Sequence, residues 1–372
     1  MKTLLLLPAL FDSEGGIERI MRLYTKAFGE LAGPGDAVSV IVLNDRTIPA
    51  ARFEPYRTPS ITTVITCARR RLGFLRHLWR EARQADRIVC GHIHLLFVAR
   101  LVTAVGRHLP TSVVAHGIEV WRPFSAFERW ALRGTQRILC VSDYTRRQIL
   151  AACPNLRADQ FAVVPNALDP LFTRGKSGPT QPASASPRQI ILTVSRLSTG
   201  DAYKGVDTLI RAMREVRTRC PAAMLRIVGR GNDAPRLQAL AHTTAPDAIE
   251  FAGFLPDAEL RDELCACTVF ALPSRKEGFG IVFLEAFAHG KPCIGARAGG
   301  IPEVIDEHTG ILVEYGDEIG LADACVAALQ HPWDEAAIRA RAKLFSYENF
   351  KATLGQVLRP APAAPAPMSF EK

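Results

Sequence analysis

The sequence predicts an α/β protein with two doubly wound parallel sheets, one in each half of the chain. Short apolar runs rich in Val, Ile and Leu recur along the 372 residues and alternate with amphipathic stretches. Parallel strands that helices cover on both faces have this continuous apolar pattern. A stretch of Gly, Pro, Ser and Ala without periodicity at residues 175–187 separates two series of such runs, which indicates a linker. The chain is also too long for one ordinary core.

The apolar runs predict five strands in each half of the chain. They are Thr3–Leu7, Ala37–Leu43, Arg87–Cys90, Ser112–Ala115 and Arg137–Val141 in the first half, and Gln189–Val194, Met224–Val228, Ile249–Phe251, Val269–Leu272 and Pro292–Ile294 in the second. We therefore expect Rossmann-like domains over residues 1–174 and 188–345, joined by the linker 175–187 and followed by a disordered Pro/Ala-rich tail at 359–372. Two such domains face each other across a cleft, where ligands of these folds bind.

The distribution of charge says more about partners than the net charge of +9 does. The excess of Lys and Arg over Asp and Glu lies entirely in residues 1–187. No recognisable nucleic-acid-binding module accompanies these residues, so we expect no nucleic-acid partner. Nine scattered cysteines, the lack of an apolar run near the ~20 residues of a membrane span, and a first apolar stretch interrupted by Pro8 and Asp12 indicate a cytoplasmic protein without a signal peptide.

The strongest chemical signal lies between Pro273 and Gly290, where a buried strand ends, a polar glycine-containing turn follows and a helix begins near Ile281. Unpaired backbone N–H groups at such a turn can bind a phosphate or a sugar oxygen. Glu277 lies in the turn and Glu285 lies inside the helix, so both carboxylates can face one cleft and accept hydrogen bonds from sugar hydroxyls. Taken alone, two glutamates near a helix start could also be solvated side chains that interact favourably with the helix dipole.

Two cations follow the predicted strand that ends at Val194. Arg196 and Lys204, the latter just before a helical pattern, form a suitable clamp for a diphosphate, and a solvated loop is the alternative interpretation. Gly229-x-Gly231 follows the next strand. It is a weak indication of a dinucleotide site because the third glycine and the acidic residue of that motif are missing.

Residues 69–83 are predicted to form a basic amphipathic helix. Its apolar positions follow helical spacing: Leu72, Leu75, Leu78, Trp79 and Ala82. The opposite face carries six Arg against one Glu. One interpretation is an ordinary surface helix with a solvated charged face. The other is docking on an anionic membrane leaflet.

Two further patterns resemble ligand sites but lack their context. His92-Ile-His94 places two imidazoles on one face of a predicted strand, but no third metal ligand accompanies them, so a polar pair at a strand end is favoured. Gly175-Lys-Ser imitates the end of a phosphate-binding loop, but Pro170 stands where that loop needs its first glycine. No metal site is therefore expected.

A set of motifs occurs in a fixed order along most of the chain. The motifs are Gly15-Gly16-x-Glu18, His116-Gly117, Val141-Ser142-Asp-Tyr-Thr145, Val164-Pro-Asn166-Ala-Leu-Asp169, Arg196 with Lys204-Gly205, Gly229-x-Gly231 and Glu277-x7-Glu285. This set resembles the retaining glycosyltransferases of family 4, which have the GT-B fold. The last motif is highly specific in its context, whereas the glycine pairs alone would not be. One departure is Ala167, where the family usually has Gly after Pro-Asn.

The resemblance implies how the nucleotide part of a donor would be bound. Arg196 and Lys204 match the cations that neutralise the donor diphosphate, and Gly16 matches the glycine loop that closes over it. Glu285 matches the residue that bonds the nucleotide ribose. The family also sends a last helix back across the cleft, and residues 346–358 resemble it.

The resemblance also implies a catalytic centre. Glu277 matches the acidic residue that approaches the transferred sugar, and His116 matches the histidine at the junction of sugar and acceptor. The amides of Gly278, Phe279 and Gly280 match those that line the hydroxyls and phosphate of the donor.

These correspondences lead us to expect a retaining hexosyltransferase. Its N-terminal domain would bind a glycan or glycolipid acceptor, and its C-terminal domain would bind a UDP- or GDP-sugar as co-substrate, without a metal ion. We expect it to act in bacterial surface polysaccharide or glycolipid synthesis, in the cytoplasm and at the inner face of the plasma membrane. A GT-B nucleotide-sugar epimerase is the alternative. An NAD-dependent oxidoreductase is disfavoured because neither half has a complete glycine fingerprint.

Overall fold

The structure is a computed structural model, and it describes residues 1–12, 15–173 and 189–358. The strands are β1 Lys2–Leu7, β2 Ala37–Val42, β3 Ile61–Thr66, β4 Arg87–Cys90, β5 Thr111–Ala115, β6 Arg137–Cys140, β7 Phe161–Val163, β8 Gln189–Val194, β9 Ala223–Val228, β10 Ile249–Gly253, β11 Val269–Leu272, β12 Cys293–Ala296 and β13 Gly310–Val313. The α-helices are α1 Gly16–Glu30, α2 Ala50–Phe53, α3 Arg71–Ala82, α4 Ile93–Val105, α5 Ala126–Arg133, α6 Asp143–Ala152, α7 Pro170–Thr173, α8 Val206–Arg219, α9 Ala234–Thr244, α10 Asp257–Ala266, α11 Ile281–Ala288, α12 Ile301–Val304, α13 Glu318–Gln330, α14 Glu335–Leu344 and α15 Tyr347–Leu358.

The strands form two sheets, and every strand pairing in them is parallel. The first sheet has the order β3-β2-β1-β4-β5-β6-β7, and the second has the order β10-β9-β8-β11-β12-β13. The predicted pair of doubly wound sheets is confirmed. The order reverses between β1 and β4 and between β8 and β11, and ligands of such sheets bind outside the carboxyl ends of the strands at this point.

Burial on both faces explains why the central strands are continuous apolar runs. Leu4 and Leu6 of β1 lie in the core on the face that α3 and α4 cover, whereas Leu5 and Leu7 lie in the core beneath α1 and α15. All four side chains are almost fully buried. Successive residues of a strand point to opposite faces, so a strand covered on both faces is apolar over most of its length.

The sequence did not predict three of the described strands, and all three lie at the edge of a sheet. They are β3 and β7 in the first sheet and β13 in the second. β3 contains three threonines and has exposed and partly buried positions, and β7 has only three residues. An edge strand is paired on one side only and is less covered, so it does not need a continuous apolar run.

The last helix links the two halves of the chain. Phe350 of α15 packs edge to face on Tyr24 of α1, with ring centroids 4.9 Å apart, and Lys351 pairs with Glu30 at 2.8 Å. The limits of the domains stay predictions. The predicted linker and the predicted tail lie outside the described residues.

The predicted basic helix is shorter than expected, and its apolar face is divided. α3 begins only at Arg71 because Ala68 and Arg69 have positive φ angles of 50° and 63°, outside the right-handed helical region. Phe74, Leu78 and Ala82 form the buried stripe. The other apolar residues, Leu72, Leu75 and Trp79, lie exposed beside it, so the predicted apolar positions divide into a buried part and an exposed part. Across the described residues, no helix has the length and apolar character that crossing a membrane requires.

Candidate active site between the two domains

The turn between β11 and α11 places Glu277 next to Lys204. Lys204 Nζ lies 2.5 Å from Glu277 Oε2, and the two side chains are only 17% and 19% exposed. The helix α11 begins at Ile281, as predicted, after Gly280 at φ +91°. This left-handed conformation disfavours any residue with a Cβ, so glycine permits the abrupt change from turn to helix.

A second glycine turn brings Lys204 to this place. Residues Thr199–Lys204 form a 3-10 turn that ends at Gly205 with φ +73°. A Cβ on Gly205 would lie 2.6 Å from the carbonyl oxygen of Pro273, so the turn lies directly against the end of β11. The sequence separates the two charges by 73 residues, and main-chain packing joins them.

Arg196, the other predicted diphosphate ligand, lies apart from this pair. Its side chain is 75% exposed, and its Nη2 donates to Asp201 Oδ1 at 3.0 Å. The Tyr203 hydroxyl donates to the same oxygen at 2.9 Å. Burial and this hydrogen bond raise the pKa of Tyr203 to about 12. Arg196 is therefore an exposed cation that pairs with Asp201, and its role as a diphosphate ligand stays a prediction.

The pair Gly229 and Gly231 has a packing role. A Cβ on Gly229 would lie 1.8 Å from the Ser195 carbonyl oxygen, and a Cβ on Gly231 would lie 2.2 Å from that of Leu197. The two glycines thus allow the loop after β8 to pass closely. This close approach accounts for the glycine pair without a dinucleotide.

The turn after β11 also meets the first domain. A Cβ on Gly278 would lie 1.8 Å from the carbonyl oxygen of His116 and 3.1 Å from Gly117 Cα. On its other side, Gly300 donates its N–H to the Glu277 carbonyl oxygen at 2.8 Å. The main chain at Glu277 and Gly278 is therefore enclosed between the end of β5 and the turn before α12.

His116 presents a hydrogen-bond acceptor at this contact. Its Nε2 lies 2.8 Å from the carbonyl oxygen of Gly91, so Nε2 carries the proton and donates. Its Nδ1 is then the acceptor, and this atom is buried without a hydrogen-bond partner among the described residues. Buried polar atoms are nearly always paired, so Nδ1 is suited to accept a hydrogen bond from a hydroxyl group of a ligand.

The neighbouring histidines form no metal centre. The prediction that His92 and His94 lie on a strand is wrong. They lie at the start of α4, where the His94 N–H donates to His92 Nδ1 at 3.3 Å. A helix start replaces the strand here because β4 ends at Cys90. Burial, with the adjacent imidazoles, lowers the pKa of His92 to about 3. The described ranges hold no group of His, Cys, Asp and Glu arranged for a metal ion.

Gly16 and Phe279 contribute to the site through their main chains. Gly16 begins α1, and a Cβ there would lie 3.6 Å from Ile281 Cδ1, so this turn faces the start of α11. The ring of Phe279 is buried against Phe345, with centroids 5.3 Å apart. The side chain therefore points away from the turn, and only the backbone of Phe279 can face a ligand there; the role of the amides of Gly278, Phe279 and Gly280 stays a prediction.

Glu285 is engaged by a residue that the sequence analysis missed. Arg19, in the first turn of α1, donates from Nη1 to Glu285 Oε1 and from Nη2 to Asp257 Oδ1. The Glu285 side chain is only 6% exposed. Burial raises its pKa, and Arg19 acts in the opposite direction. The sequence feature that could have identified Arg19 is its position directly after the Gly15-Gly16-x-Glu18 motif.

Glu303 provides a second polar contact between the halves that the sequence analysis did not predict. Its Oε1 accepts from the N–H of Tyr144 at 2.7 Å, and its Oε2 accepts from that of Asp143 at 2.8 Å. These N–H groups begin α6, and a carboxylate there satisfies unpaired donors and the helix dipole.

Comparison with known proteins identifies both halves of the chain. Residues 15–171 match the model described as Glycosyltransferase Family 4, and residues 188–331 match the model described as Glycosyl transferases group 1. Together the two models span most of the chain.

Individual relatives agree with these family models. The GDP-mannose-dependent alpha-(1-6)-phosphatidylinositol monomannoside mannosyltransferase of Mycolicibacterium smegmatis is 32% identical over 259 residues, 63% of this chain and 65% of that protein. The alpha-maltose-1-phosphate synthase of the same species is 28% identical over 62% of this chain and 65% of that protein. The chain thus spans about two thirds of the length of these relatives.

Solved structures share the whole architecture. HepE of Anabaena in complex with UDP matches 96% of this chain and 99% of that chain, with a TM-score of 0.75 at 21% identity. Sucrose-phosphate synthase of Thermosynechococcus elongatus matches 96% of this chain and 98% of that chain, also with a TM-score of 0.75, at 20% identity. With both family models in their expected order and both sheets in place, the chain belongs to the family 4 glycosyltransferases of the GT-B fold.

Proposed function

We propose that this protein is a retaining, metal-independent hexosyltransferase that moves a hexose from a UDP- or GDP-sugar to a glycan or lipid-linked acceptor. The observation that carries the proposal is the Lys204–Glu277 pair, which lies beside the N–H groups of residues 278–280 and the contact with His116. These groups supply a cation, a carboxylate, amide donors and a buried acceptor atom at the point where the two sheets meet.

The two cations can stabilise the negative charge that develops during the reaction. When the bond between the anomeric carbon and the diphosphate oxygen breaks, the electron pair and the negative charge stay on the diphosphate. Preorganised positive groups stabilise such charge strongly in an enclosed site. Lys204, mostly buried, is placed for this role, and Arg196 can move to the diphosphate from its exposed position.

The remaining groups orient the sugar. Glu277 can exchange its contact with Lys204 for a sugar hydroxyl when the diphosphate binds the lysine. His116 Nδ1 can accept a hydrogen bond from a second hydroxyl of the sugar. Attack on the same face as the leaving group retains the configuration, because the new bond to the anomeric carbon takes the place of the broken one. The acceptor oxygen forms this bond while its proton passes to the departing phosphate oxygen.

The relatives support the donor and acceptor classes. The name of the M. smegmatis relative gives GDP-mannose as donor and a phosphatidylinositol glycolipid as acceptor. The HepE structure holds UDP on a similar fold. Both nucleotides therefore belong in the test, and a bacterial glycolipid or surface polysaccharide is the acceptor class that we propose.

Binding and product analysis test the proposal together. We expect one UDP- or GDP-sugar to raise the melting temperature in the presence of EDTA, because a ligand that binds only the folded state stabilises it. With an acceptor, NMR should show that the new linkage keeps the anomeric configuration of the donor. Loss of transfer in EDTA, an inverted product or turnover of donor to an epimer without acceptor would contradict the proposal.

A surface on the first domain suits a membrane-bound acceptor, and we name it the apolar-basic face. Its exposed apolar side chains are Leu72, Leu75 and Trp79 of α3, Leu101 and Val105 of α4, and Phe127 and Trp130 of α5. The three helices present them side by side. A Cβ on Gly106 would lie 3.7 Å from the Trp79 ring, and Phe97 contacts the rings of Phe127 and Trp130 with centroids 5.3 and 6.1 Å away.

Exposed arginines lie on the same helices or directly beside them in the chain. They are Arg69, Arg70, Arg71, Arg76, Arg80, Arg83, Arg107 and Arg133. The acidic residue of α3, Glu81, is buried and pairs with Lys2 at 3.0 Å and with Arg80 at 3.3 Å. Arg69 pairs with Asp12 at 2.6 Å and Arg107 with Asp86 at 3.5 Å, so part of the exposed positive charge is offset and the rest comes from the remaining arginines. Apolar side chains rimmed by arginines fit the interface of an anionic bilayer. We therefore propose that the protein docks peripherally on an anionic membrane through this face.

We expect the triple variant R76E/R80E/R83E to bind vesicles with 30% anionic phospholipid about 100-fold more weakly, since each basic residue near such a surface contributes about 1 kcal/mol. Vesicle flotation measures the bound fraction. The charge-matched control is R214E/R219E/R297E, three arginines of the second domain, which should float like the unchanged protein. Equal flotation of both variants would contradict the assignment of the face.

A further inference from the structure

We propose that Arg19 is a positioning residue for the nucleotide: the first domain inserts it against Glu285, so that the carboxylate is held toward the ribose only when the two domains meet. The inference rests on the proposed function and on the role that the family resemblance implies for Glu285, which is to bind the nucleotide ribose. It adds a charged side chain of the first domain to the ribose end of the nucleotide site, where Glu285 belongs to the second domain.

The geometry around Arg19 is that of a fixed side chain. α1 begins at Gly16, so Arg19 lies in its first turn, and its side chain is only 16% exposed. The two terminal nitrogens reach two different carboxylates, Glu285 and Asp257, and the guanidinium lies 5.3 Å from the centroid of the Phe172 ring. The planar guanidinium can make both hydrogen bonds and stack at the same time, which a lysine cannot do.

The charges around Glu285 show why a cation is needed there. The carboxylate is buried, and burial raises its pKa. Asp257 at the start of α10 and Asp169 before α7 raise the pKa further, whereas Arg19 lowers it. His289 lies one turn after Glu285, directly after the end of α11, with its ring against Phe172. A buried carboxylate without a cation would take up a proton and lose its ability to accept two hydrogen bonds.

The two ion pairs of the site differ in what domain movement does to them. Lys204 and Glu277 both belong to the second half of the chain, so their contact does not depend on the first domain. Arg19 and Glu285 lie on opposite sides, so separation of the domains breaks their contact. Arg19 uses Oε1 of Glu285, and Oε2 can accept a ribose hydroxyl in the same state. Nucleotide binding and domain closure therefore favour each other.

We test this with the Kd of UDP and of GDP, measured by calorimetry between pH 5.5 and 8. Arg19→Met should raise the Kd of the bound nucleotide by at least about 10-fold at pH 7, the loss expected for one charge-assisted contact. Because the pKa of Glu285 is higher without Arg19, the Kd of this variant should rise further as the pH falls. The Kd of the unchanged protein should vary less over the same range.

Three comparisons separate positioning from general damage. Asp257→Asn removes the outer partner of Arg19 and should leave the Kd within about 3-fold of the original, since surface ion pairs contribute little. In a Glu285→Gln background, Arg19→Met should cost almost nothing more, because the two residues act as a unit. Arg19→Gln keeps a donor without charge and should show the same pH dependence, which keeps the test valid if Arg19→Met fails to fold.

An unchanged Kd and pH profile in folded Arg19→Met would overturn the inference. So would an equal loss in Asp257→Asn, or a full loss from Arg19→Met added to Glu285→Gln. If the unchanged protein binds neither UDP nor GDP, the proposed function itself fails, and this result is distinct from a failure of the Arg19 inference alone.

Discussion

Replacement of Lys204 by Met is expected to lower kcat about 10³-fold, because loss of one preorganised group that stabilises transition-state charge has this order of effect. Lys204 Nζ lies 2.5 Å from Glu277 Oε2 in a mostly buried position, so no solvent ion can replace it easily. The variant loses the cation opposite the leaving diphosphate and leaves Glu277 without its partner. Steady-state transfer kinetics with the donor that raises the melting temperature measure kcat and KM separately.

The matched control is Lys276→Met, one residue before Glu277. Lys276 is exposed, with its ammonium 5.8 Å from the Tyr203 ring. Its loss should change kcat by less than about 3-fold, as expected for an exposed charge. A Lys204→Met protein that keeps a tenth of the original kcat, or a control that loses as much as Lys204→Met, would refute the role of Lys204.

The fold could be predicted where burial determines the sequence. β1, β8 and β11 are covered on both faces and are therefore apolar over most of their length, which sequence analysis detects. The edge strands β3 and β7 have no such requirement, and their pairing partners lie elsewhere in the chain. The same limit applies to α3, where helical spacing placed Leu72 and Leu78 on one face although only Leu78 is buried.

The site could be predicted where one segment carries the signal. Glu277 and Glu285 belong to a single turn and helix. Lys204 lies between the end of β8 and the start of α8, a position that the sequence indicates as a ligand-binding turn. The contacts between domains were not predictable in this way. The contacts of Arg19 with Glu285, and of Glu303 with the N–H groups of Asp143 and Tyr144, depend on how the two domains meet, and no local pattern encodes that arrangement.

Main-chain contact also controls how closely the domains approach. Gly278 lies against the His116 carbonyl oxygen and the Cα of Gly117, and these atoms belong to the backbone, which cannot move aside as a side chain can. A methyl group at Gly278 would therefore act as a spacer between the domains. It would leave the conformation of the turn unaffected, because Gly278 does not have a positive φ angle.

Gly278→Ala is expected to lower kcat by about 10²-fold or more with both domains folded, since misplacement of reacting groups by about 1 Å has this cost. The added Cβ would lie 1.8 Å from the His116 carbonyl oxygen, so His116 Nδ1 and Glu277 can no longer approach the same sugar. Transfer kinetics and the melting temperature together separate this effect from unfolding. Gly33→Ala is the control, because its Cβ would lie 3.6 Å from an Asp36 oxygen, an ordinary contact distance, and its kcat should not change. Full activity in Gly278→Ala would mean that transfer does not require the close contact of the two domains at this turn.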